Sequence, residues 1–406
     1  MAINSLSFNQ VATILNAIQQ QVTGRTSIAA LTAADFATSA DITLKAGYEA
    51  VYNAIGTVLG RTIFDTRPYT RKFRGLELTD TEFKFHTRKL QIVDNAFEDN
   101  QTMEWPAHYD STKTSPDDPY GNGASVDQQK IKKHEIVQTN FYGMNTYQDH
   151  YTIFDEQLDV AFSSPEELGR FFSMIITNVS NMFEQSRENF ARATLVNYAG
   201  ALYANGPTRA INLLAEYNSV SGGSYTTQTI YAPSNFPGFM KWAFARIKQI
   251  CGEMTERSIK YQNSINGKWI TRHTPYEDQR IFIYAPDMYA TEASVLSSVF
   301  NDSYLKRSYT EEVSFWQNIN SPSAINVTPT AMGPNGVPVV ASNVQLGNVY
   351  GIICDRDAVG YSVIRSTMKA APYNAAADYR NFFLKDYQKN FNDISEKGVL
   401  LYLADS

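Results

Sequence analysis

The residues able to do chemistry are few and scattered. Asp355-Arg356-Asp357 follows an apolar run and sets two carboxylates two positions apart, a pattern that could hold Mg²⁺ through oxygen ligands. The same three residues also suit a strand-end turn in which Arg356 pairs locally. The five histidines, His86, His108, His134, His150 and His273, include no pair at metal-ligand spacing, so each reads as a polar surface or packing residue. Gly267-Lys268 lacks the upstream Gly and the following Ser or Thr of a phosphate-binding loop. Gly121 and Gly123 have no third glycine, and no Gly-x-Ser-x-Gly elbow occurs. Cys251 and Cys354 are too few for a disulfide scaffold or a four-cysteine zinc site; they suggest a reducing compartment and two small buried hydrophobes. Sequons begin at Asn100, Asn178, Asn301 and Asn326, but Met1 to Ser5 open no secretory signal, so glycosylation is discounted. No cofactor, no metal and no enzymatic activity are expected.

The bulk composition narrows the classes. Of 406 residues, 43% are hydrophobic and 13% aromatic, which excludes a disordered chain. Lys plus Arg number 35 against 41 Asp plus Glu, a net charge of −6. That balance argues against a dedicated nucleic-acid binder, though not against a protein that surrounds nucleic acid. No run of 18 apolar residues exists, so no membrane partner is expected.

The elements that must position any site have unusual proportions. Residues 8–23 carry Val11, Ile14, Leu15, Ile18 and Val22 at helical spacing behind a Ser7/Gln10 capping box, with Gly24 as a stop. No nearby strand offers this start a packing partner, so it reads as an arm. Phe83, Phe85 and Thr87 alternate with Lys84, His86 and Arg88 in strand period, and a second extended stretch runs from about Glu135 to Tyr147. Between them lies a tip rich in Pro and Gly. An isolated ribbon of that kind is marginally stable and should rest on something else.

Ser164, Pro165 and Glu167 open a 40-residue helix, 165–204, about 60 Å long at 1.5 Å per residue. Leu168, Phe171, Phe172, Ile175, Val179, Met182, Phe183 and Ser186 mark one face, and Phe171, Ile175, Val179 and Met182 are expected to be buried. A compact α/β region follows: a helix face at Met240, Ala243, Ile247, Ile250 and Met254, then strands at Ile281 to Tyr284, Val337 to Val340 and Val349 to Cys354, with a helix between the first two holding Met288, Leu296 and Phe300. The tail alternates through Phe383, Tyr387 and Phe391 and ends in a strand, Gly398 to Tyr402.

Charge along the ribbon is polar. Residues 67–93 hold Arg67, Arg71, Lys72, Arg74, Lys84, Arg88 and Lys89 against three acidic residues. Residues 94–120 hold Asp94, Glu98, Asp99, Glu104, Asp110, Asp117 and Asp118 against Lys113. An arm and a ribbon bury little within one chain, so a self-assembling structural protein leads, with these charged residues as inter-subunit contact candidates. The acidic part of one copy is expected over the basic root of a neighbour, where complementary patches fix register.

In element order the chain resembles the major capsid proteins of tailed bacteriophages with the Hong Kong ninety-seven-type shell fold. The resemblance rests on the helix opening Ser163 to Leu168 and on the cadence Ile281 to Pro286, Gly336 to Val340 and Val349 to Cys354. The stretches Phe154 to Leu158 and Glu188 to Phe190 are similar to capsid proteins of small short-tailed phages and their gut-phage relatives. It implies an α+β fold: N-terminal arm (1–66), extended β-hairpin loop (67–142), peripheral domain with a spine helix (143–235), axial domain (236–358) and a return to the peripheral domain (359–406). It also implies an icosahedral shell of hexamers and pentamers around double-stranded DNA held without sequence-specific binding. The partners would be other copies, a separate scaffolding protein and a portal protein, with assembly in the host cytoplasm. A tail or fibre protein and an oligomeric enzyme with dispersed catalytic residues remain as alternatives.

Overall fold

In this computed structural model the described residues are 7–24, 26, 30, 32–63, 69–78, 86–94, 134–142, 144–289, 309–332 and 337–405. The Ser7 N–H donates to Gln10 Oε1 at 2.9 Å and starts α1 (Phe8–Thr23), which stops at Gly24 with φ 77°. A second capping box, Thr32 with Asp35, starts α2 (Ala33–Lys45), and α3 (Tyr48–Ile63) follows. These helices do not form a free arm. Val11, Leu15, Ile18, Phe36, Tyr52 and Ile55 bury in one core with Leu168, Phe172 and Ile176 of the long helix. The expectation that the start of the chain buries little on itself is therefore corrected: the missing partner was a helix more than a hundred residues away.

The long helix, α5 (Pro165–Ala204), is continuous over the expected span, after the short α4 (Asp155–Phe162). Ser164 Oγ accepts from the Glu167 N–H at 3.2 Å, while the Glu167 carboxylate turns to Arg170 instead of closing a capping box. Its buried face is rotated part of the way from the expected one, with Val179 common to both. Leu168, Phe172, Ile176 and Val179 are buried, and Phe171 and Ile175 pack only partly against the same core. Both phases look apolar in sequence; the arm helices and the sheet below select between them.

That sheet is antiparallel, ordered β12 (Val359–Ala370), β13 (Tyr379–Asn392), β3 (Met144–Phe154). Phe382 and Leu384 of β13 face the core, so Phe383 and Tyr387 lie on the less buried side. A two-stranded ribbon, β1 (His86–Ile92) with β2 (Ile136–Tyr142), pairs antiparallel from His86↔Tyr142 to Ile92↔Ile136. The single extended stretch expected from Glu135 to Tyr147 thus divides between two sheets. Phe83 and Phe85 lie outside the described residues.

The second half of α5 covers a mixed five-stranded sheet, ordered β4 (Ala210–Asn212), β14 (Gly398–Tyr402), β11 (Val349–Asp355), β5 (Gln279–Tyr284), β6 (Tyr309–Val313). Its central strands read as continuous apolar runs because both faces are covered. Phe190, Leu195, Tyr198 and Leu202 of α5 pack on one face, and α7 (Phe236–Thr255) with α6 (Leu213–Ser221) on the other. Leu296 and Phe300 lie outside the described residues. Short strands β7 (Ile325–Val327) and β8 (Thr330–Met332) return as β9 (Pro338–Val340) and β10 (Val344–Leu346). The end of the tail does not rejoin the three-stranded sheet: β14 inserts between β4 and β11.

Cys251 on α7 and Cys354 on β11 are both buried; burial pushes the Cys251 thiol up to about 12 and the Cys354 thiol higher still. Thiolate is the reactive form, so a thiol reagent should label neither in the native protein and both after denaturation. Rapid native labelling, read by mass spectrometry, would contradict the packing of these two elements.

Candidate assembly surface

The root of the ribbon is fastened to the subunit by a strap, residues 69–78, that crosses the middle of α5. Glu184 and Arg187 fall in the phase of the helix's own buried stripe, so two charges enter the interior. Arg71 answers Glu184: its Nη1 donates to both carboxylate oxygens at 2.7 Å and its Nε to Tyr361 Oη at 2.8 Å. Glu77 takes its remaining nitrogen. Arg187 donates through Nε to Asp386 at 2.9 Å and through Nη1 to Glu184 at 3.3 Å. Burial opposes the charge on both guanidiniums, but Tyr361, Glu184 and Glu77 around Arg71, and Asp386 and Glu184 around Arg187, outweigh it and hold both above the usual arginine range. One turn on, Glu188 accepts from the Tyr69 hydroxyl at 3.0 Å and the Lys72 N–H at 3.1 Å. Leu78 closes the strap on β12, its N–H donating to the Tyr361 carbonyl at 2.9 Å.

The ribbon is seated at a second point. Lys89 reaches Asp393 at 2.9 Å and Glu396 at 3.3 Å, and its ammonium lies 5.5 Å from the centre of the Phe391 ring. Burial pushes this ammonium down, but the two carboxylates more than restore it. Arg272 joins through Glu396, and donates to Gln91 at 2.9 Å. Phe141 packs on Phe391 at 5.5 Å. Asp94 pairs with Arg257 at 2.6 Å and caps the Thr271 N–H at 2.6 Å.

Of the charged candidates that the structure describes, Arg71, Lys72, Lys89 and Asp94 therefore bond within their own chain. Arg71 needs a specific correction. It is 2% exposed, so it is not a surface cation awaiting a neighbour. Arg74 is exposed, and Arg88 lies on the ribbon. Arg67, Lys84, Glu98, Asp99, Glu104, Asp117 and Asp118 lie outside the described residues.

The open face of the ribbon carries an apolar triplet at its distal end, with Arg88, Gln138 and Asn140 exposed beside it. Leu90, Ile92 and Ile136 share one face, since Ile92 pairs directly with Ile136 and Leu90 stands two residues before it. They are 57%, 58% and 63% exposed. The opposite face, with Lys89, Gln91, Val137 and Phe141, is the seated one. Reading the sequence for charge missed this triplet, although the alternation Leu90-Gln91-Ile92 was there to see.

Asp355-Arg356-Asp357 forms the strand-end turn. Asp355 accepts from the Thr274 hydroxyl at 2.6 Å and from the Asp357 N–H at 2.8 Å, and Arg356 lies 3.9 Å from Asp278. Among the described residues no cluster of His, Cys, Asp or Glu gathers that could hold a metal ion, and no helix is long and apolar enough to cross a membrane.

The chain is similar to the capsid structure of Staphylococcus phage Andhra, with a TM-score of 0.50 at 11% identity over 84% of this chain and 86% of that one. It is also similar to a chain in the structure of the head fiber and inner core protein of bacteriophage P68, with a TM-score of 0.49 at 9% identity over 82% and 84%. A third similar chain comes from the capsid of cyanophage P-SCSP1u, with a TM-score of 0.44 at 11% identity over 84% and 90%. At such identities the likeness is one of fold. No curated protein matches the sequence. The sequence profile of the Phi29-like phage major capsid protein family, however, matches residues 11–394, from the first arm helix to the turn before the last strand. A long helix shared by two cores, a strapped ribbon and a mixed sheet thus meet a family match over nearly the whole chain, and the chain belongs to the Phi29-like phage major capsid proteins, subunits of a tailed-phage shell.

Proposed function

We propose that copies of this chain close into an icosahedral shell of hexamers and pentamers around a double-stranded DNA genome. A separate scaffolding protein and a portal would be its partners, in the host cytoplasm. In this reading residues 8–63, 144–204 and 359–392 act as the peripheral domain. Residues 210–289, 309–355 and 398–403 act as the axial domain, and residues 69–78, 86–94 and 134–142 belong to the extended loop. The observation that carries the contact is the ribbon: its Lys89 face is seated on its own chain, and on the other face Leu90, Ile92 and Ile136 are left side by side in water. Exposed apolar groups clustered in this way mark an interaction surface, and in a shell protein the nearest partner is the next copy. The acidic distal part, Glu98 and Asp99 included, is tested against a neighbour's root only through cations other than Arg71, which is buried.

Leu90→Glu with Ile136→Glu should leave the subunit folded, as judged by circular dichroism, and abolish shells in electron micrographs of the purified protein. Normal shells from that variant would sink the ribbon contact. Fibres or small discrete oligomers from the unaltered protein would sink the shell reading itself.

A further inference from the structure

From Val313 to Cys354, 42 consecutive residues contain no Asp, Glu, Lys, Arg or His, in a chain that is 19% charged. Charge resumes at once on both sides, with Glu311-Glu312 before the run and Asp355-Arg356-Asp357 after it. Burial explains only part of this. Strand β11 is interior, but β7 to β10 form one interrupted hairpin laid on the second half of α5, with a buried side and an open side. Val344 pairs with Val327, Thr330 with Val340, and the Ala341 N–H bridges the interruption to the Pro329 carbonyl at 2.9 Å. Ile325, Ala331 and Val344 face inward. On the open side Val340 is 76% exposed beside its exposed partner Thr330, and Ile319 in the preceding loop is 72% exposed. The exposed polar groups are neutral and satisfy one another: the Asn326 N–H donates to Gln317 at 2.7 Å, and the Asn343 amide donates to Asn326 at 2.9 Å.

An open surface without charge favours association, so it is expected to be covered in the working particle. The absence of charge also indicates by what. DNA phosphates would call for Lys and Arg. A different protein, or a different patch of the same protein, can be met with complementary charges that steer and fix register. Identical residues that converge on a rotation axis have no such option. Each charge there would face its own copy, and like charges set opposite each other destabilise. We propose that the open face of the hairpin (residues 325–332 and 337–344) and of the loop 315–324 is a self-facing contact, covered by the same face of symmetry-related copies where they converge on a rotation axis of the assembly. The proposal rests on the reading of the chain as a self-assembling subunit and adds which surface meets itself and why it is neutral.

The test uses the full chain in an assembly assay read by sedimentation and electron microscopy. Shells from the unaltered protein establish the underlying reading independently. Val340→Lys and Val340→Asp, made separately, should each give folded subunits with an unchanged thermal unfolding midpoint and no fast-sedimenting shells. Co-expressed in equal amounts, the two should recover shells, because Lys now meets Asp. Thr330 is exposed and pairs directly with Val340 on the same face, so a Thr330→Lys and Thr330→Asp pair repeats the comparison should either first variant fail to fold. Shells from a lone Lys or a lone Asp variant, or a mixture no better than its components, would overturn the proposal, since the patch would then meet something other than itself.

Discussion

Phe172→Ala should destabilise the folded subunit by about 3–5 kcal/mol, the cost of emptying a fully buried aromatic site. Phe172 is 0% exposed where the arm helices, α4 and the three-stranded sheet meet on α5, so no single neighbour can move in without opening another contact. Phe171, next along the chain, only lines the edge of this core, its ring at 74° to that of Phe172. Phe171→Ala is therefore expected to lose clearly less. Denaturant unfolding of the two variants side by side checks the rotation of the helix face: a larger loss for Phe171→Ala would restore the face that the spacing alone suggested.

Glu184→Ala should cost a comparable amount for a different reason. The Glu184 side chain is 2% exposed and stands between Arg71, whose side chain is fully buried, and Arg187. Removing one partner of a buried ion pair leaves an uncompensated charge and typically costs about 3–5 kcal/mol. Here two guanidiniums lose a shared carboxylate, and Asp386 and Glu77 retain only part of the compensation. Glu184→Gln, which keeps the shape and one acceptor, should fall between the two. The strap should also loosen, so that limited proteolysis near residues 69–78 speeds up in Glu184→Ala. An unfolding midpoint equal to that of the unaltered protein would mean that the network contributes nothing net. Charge reversal at Arg71 probes this same interior network, and a failure to assemble after Arg71→Glu would report on folding before it reported on any neighbour.

The local elements were legible because their causes are local. Ser7 with Gln10, and Ser164 with Pro165, mark helix starts within four residues, and the span 165–204 is read from one uninterrupted apolar stripe. Ile281 to Tyr284 and Val349 to Cys354 announce buried strands by composition alone. The element order sufficed for the resemblance to tailed-phage capsid proteins, and the family profile matches residues 11–394.

What the chain does with those elements depended on contacts between residues far apart in sequence. Residues 1–66 look like a free arm until α5 supplies the groove that Val11, Leu15 and Ile18 fill. Arg71 looks like one of seven equivalent cations in a basic root, and only the crossing of the strap over α5 puts it against Glu184, 113 positions away. Lys89 and Asp94 likewise look available for a partner and prove to be held by Asp393 and Arg257. The sequence by itself determined the helices 8–23 and 165–204, the buried strands 281–284 and 349–354, and that charge collects near the ribbon root, since these follow from periodicity and composition over a few neighbours. The tertiary structure alone decided which of those charges are spent inside the subunit and which apolar residues stay in water, because desolvation and pairing are set by whatever the fold brings within a few ångströms.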